Sequence, residues 1–339
     1  MKKIVQIYWF AAVATVAIWF LVGWQLGSQA LFTVFVLTLL EVTFSADNAV
    51  INSRVVITLS PLWQKLFLTI GIFTAVFLVR FFLPLLIVMI SSSISWNEVV
   101  YLITADHAGY AEHLHQAEPI ISTFGGIFLL MIALSYFIDD SKTLHWFGPV
   151  ERRLAALGRY SELPTFILLA LILVIFLTTD HASQAVVLAA AVLALLLHIG
   201  LDLVSTIMKN RRNPVDSGKP LVGLAALSGF IYLEVLDASF SLDGVIGAFA
   251  MTNEVFLIMA GLGAGALWVR GITIHLVSND ILKNFVFLEH GAHWAIAFLG
   301  CVMISKLYGI DLPEWLIGSL GLVLIALAII WSLKSKRAK

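Results

Sequence analysis

Cysteine is nearly absent from this 339-residue chain, where Cys301 is the only one. A disulfide framework and a thiolate metal site are therefore both excluded. Set in an apolar run, Cys301 reads as a small buried hydrophobe. Charge is scarce too, at 12% of residues, about half the usual share in a soluble domain. The net charge is −1 and no basic domain stands out, so nothing points to nucleic acid. No stretch is polar and long enough to be a soluble domain. What fills the chain instead is apolar: 60% hydrophobic residues and a mean hydropathy of +0.99. Such a composition specifies an all-α polytopic membrane protein, whose surroundings are the lipid bilayer.

A transmembrane helix needs about 20 predominantly apolar residues. Ten stretches qualify: 5–24, 30–57, 66–90, 119–138, 164–179, 184–203, 220–249, 254–278, 292–308 and 314–333. The run from Ile4 to Trp24 exceeds a signal peptide's apolar core, and no small-x-small cleavage site follows it. It is expected to be a first transmembrane helix, with a retained signal anchor as the alternative. Placing the N-terminus in the cytoplasm puts 16 of the 20 Lys and Arg in inside segments and none in outside loops. Arg54, Arg80, Arg270 and Lys306 fall within spans. That asymmetry predicts ten spans of the plasma (inner) membrane with both termini cytoplasmic. The whole chain then reads as one membrane domain, and nothing in it specifies an oligomeric state.

Two of the longest runs carry the same pattern, acid-x-hydroxyl-Phe-Ser-x-Asp. The first copy is Glu41-Val42-Thr43-Phe44-Ser45-Ala46-Asp47, followed by Asn48. The second is Asp237-Ala238-Ser239-Phe240-Ser241-Leu242-Asp243, preceded by Glu234 and followed by Gly244. In the ten-span topology the two motif helices run in opposite directions. Each is followed by a helix with one buried arginine, Arg80 or Arg270. These features predict an inverted-topology repeat, half A about 30–138 and half B about 220–308, with a binding site near the bilayer midplane.

The motif chemistry points to a cation. Five carboxylates against two arginines leave three negative charges. Each unpaired carboxylate at a helix centre costs about 2.5–3.5 kcal/mol, so protons or bound cations must offset the excess. Carboxylates, the Asn48 amide and the Ser45 and Ser241 hydroxyls suit hard ions such as Mn²⁺, Mg²⁺ or Ca²⁺. A simpler reading pairs two acids with the arginines, and serines commonly pack helix against helix. It still leaves three acids unexplained. At about 100° per residue, Glu41, Ser45 and Asn48 share one helix face, as do Glu234, Asp237 and Ser241. Asp47 and Asp243 point elsewhere, so the helices must unwind near Phe-Ser-x-Asp or aim these acids at neighbours. Gly244 and Gly247 favour unwinding in the second copy.

Other polar clusters carry weaker signals. Asp106, His107, Glu112, His113, His115 and Glu118 sit in an outer loop that reads either as a metal-collecting mouth or as a solvated segment. His198 and Asp202 stand i, i+4 and read as a hydrogen-bonded pair. Glu289, His290 and His293 open a helix, where capping is the simple role. Gly261, Gly263 and Gly265 read as a close helix contact, since no strand precedes them as a phosphate loop requires.

The stretches Leu40–Asn48 and Leu233–Asp243 resemble the paired motifs of the TerC family of integral membrane proteins. Gly244 and Ser241 depart from that family's common residues, which fits a divergent branch. The family is associated with manganese export and tellurium-resistance loci. The resemblance implies a metal site at Glu41, Asp47, Asn48, Glu234, Asp237 and Asp243; Ser45, Ser241, Arg80 and Arg270 are expected in support from the motif chemistry. The function expected is a secondary transporter, not an enzyme, that exports a divalent cation, Mn²⁺ foremost, in exchange for protons. Two rivals are weighed against it. An intramembrane aspartyl protease would pair Asp47 with Asp243, but the usual Gly-x-Gly-Asp context is missing. A sensor or partner in tellurium-type resistance would bind the ion without moving it.

Overall fold

The computed structural model describes residues 2–71, 74–210, 220–249, 251–278 and 285–337. Among them the chain is almost wholly helical, with one isolated bridge between Leu59 and Leu221. Six helices are long and apolar enough to cross a membrane, or seven if one bent pair counts as a single span. Ten were expected from the sequence. The difference lies in four places: the expected ninth span, whose helix Leu288–Lys306 is not among the six, and three more.

The first of the three is α1, Lys2–Phe44, which takes in most of two expected spans. Gly27 interrupts it with φ 86° and ψ 179°, a conformation that L-residues rarely adopt. Trp19 and Phe35 have ring centroids 5.2 Å apart. In a straight helix those positions would be about 24 Å apart at 1.5 Å per residue. A Cβ on Gly23 would likewise lie 3.2 Å from the Leu31 side chain. The two limbs of α1 therefore fold back on each other at Gly27. The second place is the expected third span, which follows α3 (Pro61–Leu66). It contains two π-helical stretches, Phe67–Gly71 and Thr74–Phe82, and then α4, Leu83–Ser91. The third is α9, Leu163–Thr178, only 16 residues long and bent 103° from the preceding Gly148–Arg159 segment.

The described residues form two compact units. One comprises Met1–Glu118 and Pro220–Asn279; the other Pro119–Lys219 and Asp280–Lys339. The first unit gathers both motif copies. It holds α2 (Ala46–Val56), α5 (Trp96–Ala105), α6 (His107–Gln116), α11 (Gly223–Phe249) and α12 (Val255–Ser278) besides α1, α3, α4 and the π-helical stretches. α1 and α12 make the most extensive contact in the unit. Its basis is small residues one helical turn apart. A Cβ on Gly261 would meet Leu37 Cβ at 2.4 Å, and one on Gly265 would meet Glu41 Cβ at 2.4 Å. Without side chains there, the two helices approach closely enough to pack backbone against side chain. The close helix contact expected of these glycines is thus present.

α2 is held against α11 at its C-terminal end. The Ser60 amide donates to the Leu221 carbonyl at 2.9 Å, and the Leu221 amide donates to the Thr58 carbonyl at 2.7 Å. Val56, Leu59, Phe67, Ala226 and Leu233 close a buried apolar cluster over this junction. The segment 96–116, expected as part of an outer loop, forms α5 and α6. Ser95 and Glu98 form a reciprocal capping box at the start of α5, and Asp106 caps α6.

The second unit holds α7 (Glu118–Phe137, less its first residue), α8 (Gly148–Ala156), α9, α10 (His181–Asn210), α13 (Leu288–Lys306) and α14 (Glu314–Arg337). Glu151 of α8 is 2% exposed. It accepts hydrogen bonds from the Trp146 amide at 2.7 Å and from Trp294 Nε1 at 2.8 Å. His290 Nδ1 lies 3.2 Å from Oε2, the oxygen the Trp146 amide reaches, an ion-pair distance without an aligned hydrogen bond. His290 therefore serves a buried carboxylate rather than only a helix start. Two expectations fail in this unit. Cys301 is exposed on α13, because α13 turns its glycine and alanine side inward instead. His198 stands edge-on to Phe128, centroids 5.8 Å apart, and its buried Nδ1 makes no hydrogen bond to Asp202.

Candidate functional site

Glu41 sits at the end of α1, 3% exposed. Its Oε1 accepts from Ser45 Oγ at 2.6 Å and from Arg80 Nη2 at 2.5 Å. The arginine is equally buried, so the two charges neutralise each other out of water. Arg80 comes from the second π-helical stretch. For Glu41, the arginine-partner reading is the arrangement found.

The first motif breaks where its spacing required. Ser45 leaves the helical path at φ −96° and ψ 13°, and α2 starts at the next residue. The interruption is a kink and not an unwound segment. The Ser45 amide still donates to the Glu41 carbonyl at 2.9 Å, and the Ala49 amide to the Ser45 carbonyl at 3.1 Å. In the second motif α11 runs through Gly244 and Gly247 without a break, contrary to the expectation of unwinding there. Its close packing explains the difference. Leu236, Ser239, Phe240 and Ser241 are all buried, and a continuous ladder satisfies the backbone around them.

One bond joins the two copies. Asn48 Nδ2 donates to Asp237 Oδ1 at 2.7 Å. Asn48 is 1% exposed, and its own Oδ1 has no hydrogen-bond partner. Beside this bond lies a cavity of about 40 Å³, bordered by Asn52, Arg80, Glu234, Asp237, Arg270 and Thr273 among others. That is room for a few water-sized occupants. Both oxygens of Glu234 and Oδ2 of Asp237 are buried and accept no hydrogen bond from the described residues. Neither do Arg80 Nε and Nη1 or Arg270 Nε donate one. A Cβ on Gly71 would come within 2.6 Å of Glu234 Oε1, so the glycine leaves the carboxylate its space.

The expected site residues thus fall into groups. Glu41, Ser45 and Arg80 form one node. Asn48 and Asp237 form a second, and Glu234, Asp237, Arg80 and Arg270 border the cavity. Asp47 is buried in the first turn of α2, accepting from the Asn48 amide at 2.9 Å, and does not border the cavity. Ser241 Oγ is buried without a partner. The Asp243 side chain lies outside the described residues. Asn52 and Thr273 border the cavity and were not picked out from the sequence. Asn52 had a signal, since it stands one helical turn after Asn48 on the Glu41–Ser45–Asn48 face.

The donors are oxygens of carboxylates, amides and hydroxyls, which suits a hard cation better than a soft one. Among the described residues, no three His, Cys, Asp or Glu side chains already converge on one point. The α6 histidines are engaged separately. His107 Nδ1 lies 3.0 Å from Glu254 Oε2, His113 Nδ1 2.9 Å from Ser92 Oγ, and His115 Nδ1 3.8 Å from Glu118.

A family model described as "Protein of unknown function (DUF475)" matches residues 46–339. The chain belongs to the DUF475 family. The matched region begins just after the Ser45 kink. It contains Asp47, Asn48, both arginines and the whole second motif, and leaves Glu41 outside. No curated protein and no solved structure matches the chain.

Proposed function

We propose that this protein is a secondary transporter that exports a divalent metal cation from the cytoplasm. Mn²⁺ is the foremost candidate, and Mg²⁺ and Ca²⁺ fit the same oxygen donors. What carries this reading is the Asn48–Asp237 bond, which brings the two motif copies together beside a cavity bordered by unpartnered carboxylate oxygens. The resemblance to the TerC family supports the metal and the direction. The charge pattern supports ten spans, both termini cytoplasmic, and an inverted repeat in the inner membrane. In that topology one half rocks against the other around the acidic site.

Coupling follows from the charge balance. Glu41 has Arg80 and Asp237 has one amide donor, while Glu234 has no hydrogen-bond partner. A buried carboxylate without a counter-charge is stable only with a proton or a cation. A cation arriving beside Glu234 takes the place of a proton there, and its departure draws the proton back. The substrate itself assembles the site, bringing together ligands that do not converge without it.

The test is metal flux into proteoliposomes, with Mn²⁺ accumulation in cells as its companion. Asp237→Asn and Glu234→Gln should each abolish export, as should Asp47→Asn and Asp243→Asn. Wild-type flux in all four variants would sink the proposal. Metal binding without any flux in the wild type would favour the sensor instead.

A further inference from the structure

The first unit holds a second hollow, larger and open to the surface. It measures about 590 Å³ and is bordered by Gln6 and Trp9 of the first limb of α1 and by Leu267, Arg270, Ile274 and Ser278 of α12. Its relation to the buried cavity follows from helix geometry. Ala266, Val269, Arg270 and Thr273 of α12 border the buried cavity. The residues at 267, 270, 274 and 278 border the open one. These are two adjacent stripes on one helix, and they meet at Arg270. Among the described residues, Arg270 alone borders both hollows.

We infer that Arg270 is the gate between an open mouth and the acidic cavity. The inference rests on the cation-transport reading of that cavity and adds the route by which a hydrated divalent cation reaches it. A fixed positive charge at the doorway repels cations and hydronium alike, so the acids inside are screened from uncoupled leakage. No hydrogen bond holds the side chain at its Nε, which is buried. The nearest hydroxyl on its own helix, Thr273 Oγ1, donates to the Val269 carbonyl at 3.1 Å instead. Around the gate the wall is firm. Tyr8 sits over Gly271, where a Cβ would meet its ring at 2.6 Å, and Trp268 Nε1 donates to Thr15 Oγ1 at 3.0 Å. On this inference the gate opens by motion of the guanidinium, with α1 and α12 in place. With the N-terminus cytoplasmic, the open hollow is the cytoplasmic mouth, since it lies at the start of α1 and the end of α12.

Thiol accessibility tests the gate directly. In a Cys301→Ala background, Ser278→Cys reports the mouth and Thr273→Cys reports the buried cavity. The probe is a membrane-impermeant, cationic methanethiosulfonate applied to the full chain in inside-out vesicles. Ser278→Cys should react whether residue 270 is arginine or alanine. Thr273→Cys should react slowly beside Arg270 or Arg270→Lys, and roughly tenfold faster beside Arg270→Ala. An unreactive Ser278→Cys, or equal Thr273→Cys rates in the arginine and alanine backgrounds, would overturn the inference. Should Arg270→Ala not fold, the arginine background decides alone. There an anionic reagent of equal size must outpace the cationic one at Thr273→Cys, and equal rates refute the gate. Accessibility does not depend on which ion is carried. Loss of flux with the gate effect intact would therefore strike the transport reading only, and the reverse result would strike the gate only.

Discussion

Asn48 and Asp237 stand 189 residues apart in the chain and 2.7 Å apart in the fold. Their bond is the one direct side-chain link observed between the two motif copies among the described residues. Asn48→Ala leaves Asp237 Oδ1 buried without its donor, at a cost of about 1–3 kcal/mol. Thermal unfolding of the detergent-solubilised protein should show that loss. Adding Asp237→Ala should cost less than the two single changes summed, since the orphaned oxygen is then gone. Strict additivity would mean the pair is not coupled.

The Glu41–Arg80 pair makes a sharper contrast. Removing one partner strands the other charge away from water, which costs about 3–5 kcal/mol. Arg80→Met and Glu41→Gln should each lower stability by that order, while the double variant recovers most of it. Denaturation midpoints of the three proteins check this. A double variant as unstable as the worse single one would show that the pair's role is not mutual neutralisation.

Gly265 permits the contact that aims Glu41. A methyl group there would press on Glu41 Cβ and Cγ, 2.4 and 2.5 Å away, and on the Thr38 carbonyl. Overpacking of this kind costs about 1–3 kcal/mol. Gly265→Ala should therefore destabilise the protein and reduce flux together. Gly200→Ala is the control, as a Cβ there meets nothing within 4 Å. Equal stability of the two variants would contradict the packing account.

Outside the spans, the start of α5 has a pH dependence of known sign. The Ser95 backbone amide and then its hydroxyl hold the Glu98 carboxyl below the ordinary glutamate range. A group whose folded value is depressed stabilises fully above its unfolded value and loses that contribution as pH falls through the folded one. The cap should therefore hold at neutral pH and release in acid. An NMR titration of Glu98 should show its midpoint rising in Ser95→Ala. An unmoved midpoint would remove the Ser95 hydroxyl as a cause and leave its backbone amide as the only one.

Several features were readable from local sequence. Apolar run length reported the membrane helices, because transfer of a helix into lipid depends on composition along one segment. Asp47 points away from the face that Glu41, Ser45 and Asn48 share, so a break or a redirected acid was expected, and a kink stands at Ser45. Gly261 and Gly265 announced a close helix contact, because a missing Cβ is visible without knowing the partner. Other features were not readable. The reversal between the expected spans 5–24 and 30–57 is present, but only the fold shows that it is made at Gly27 by a residue with φ 86°. Only packing decides that Arg80 takes Glu41, that Cys301 faces outward, and that Asn52 and Thr273 border the cavity.

The repeated acid motif was thus determined by the sequence alone, together with its surplus of negative charge. How those acids are shared out was decided by tertiary structure. Glu41 goes to Arg80, Asp237 to Asn48, and Glu234 is left facing a small cavity. The reason is physical. Charge content and apolar length are properties of neighbouring residues, whereas the pairing of a buried charge depends on which distant helix supplies a partner within about 3 Å.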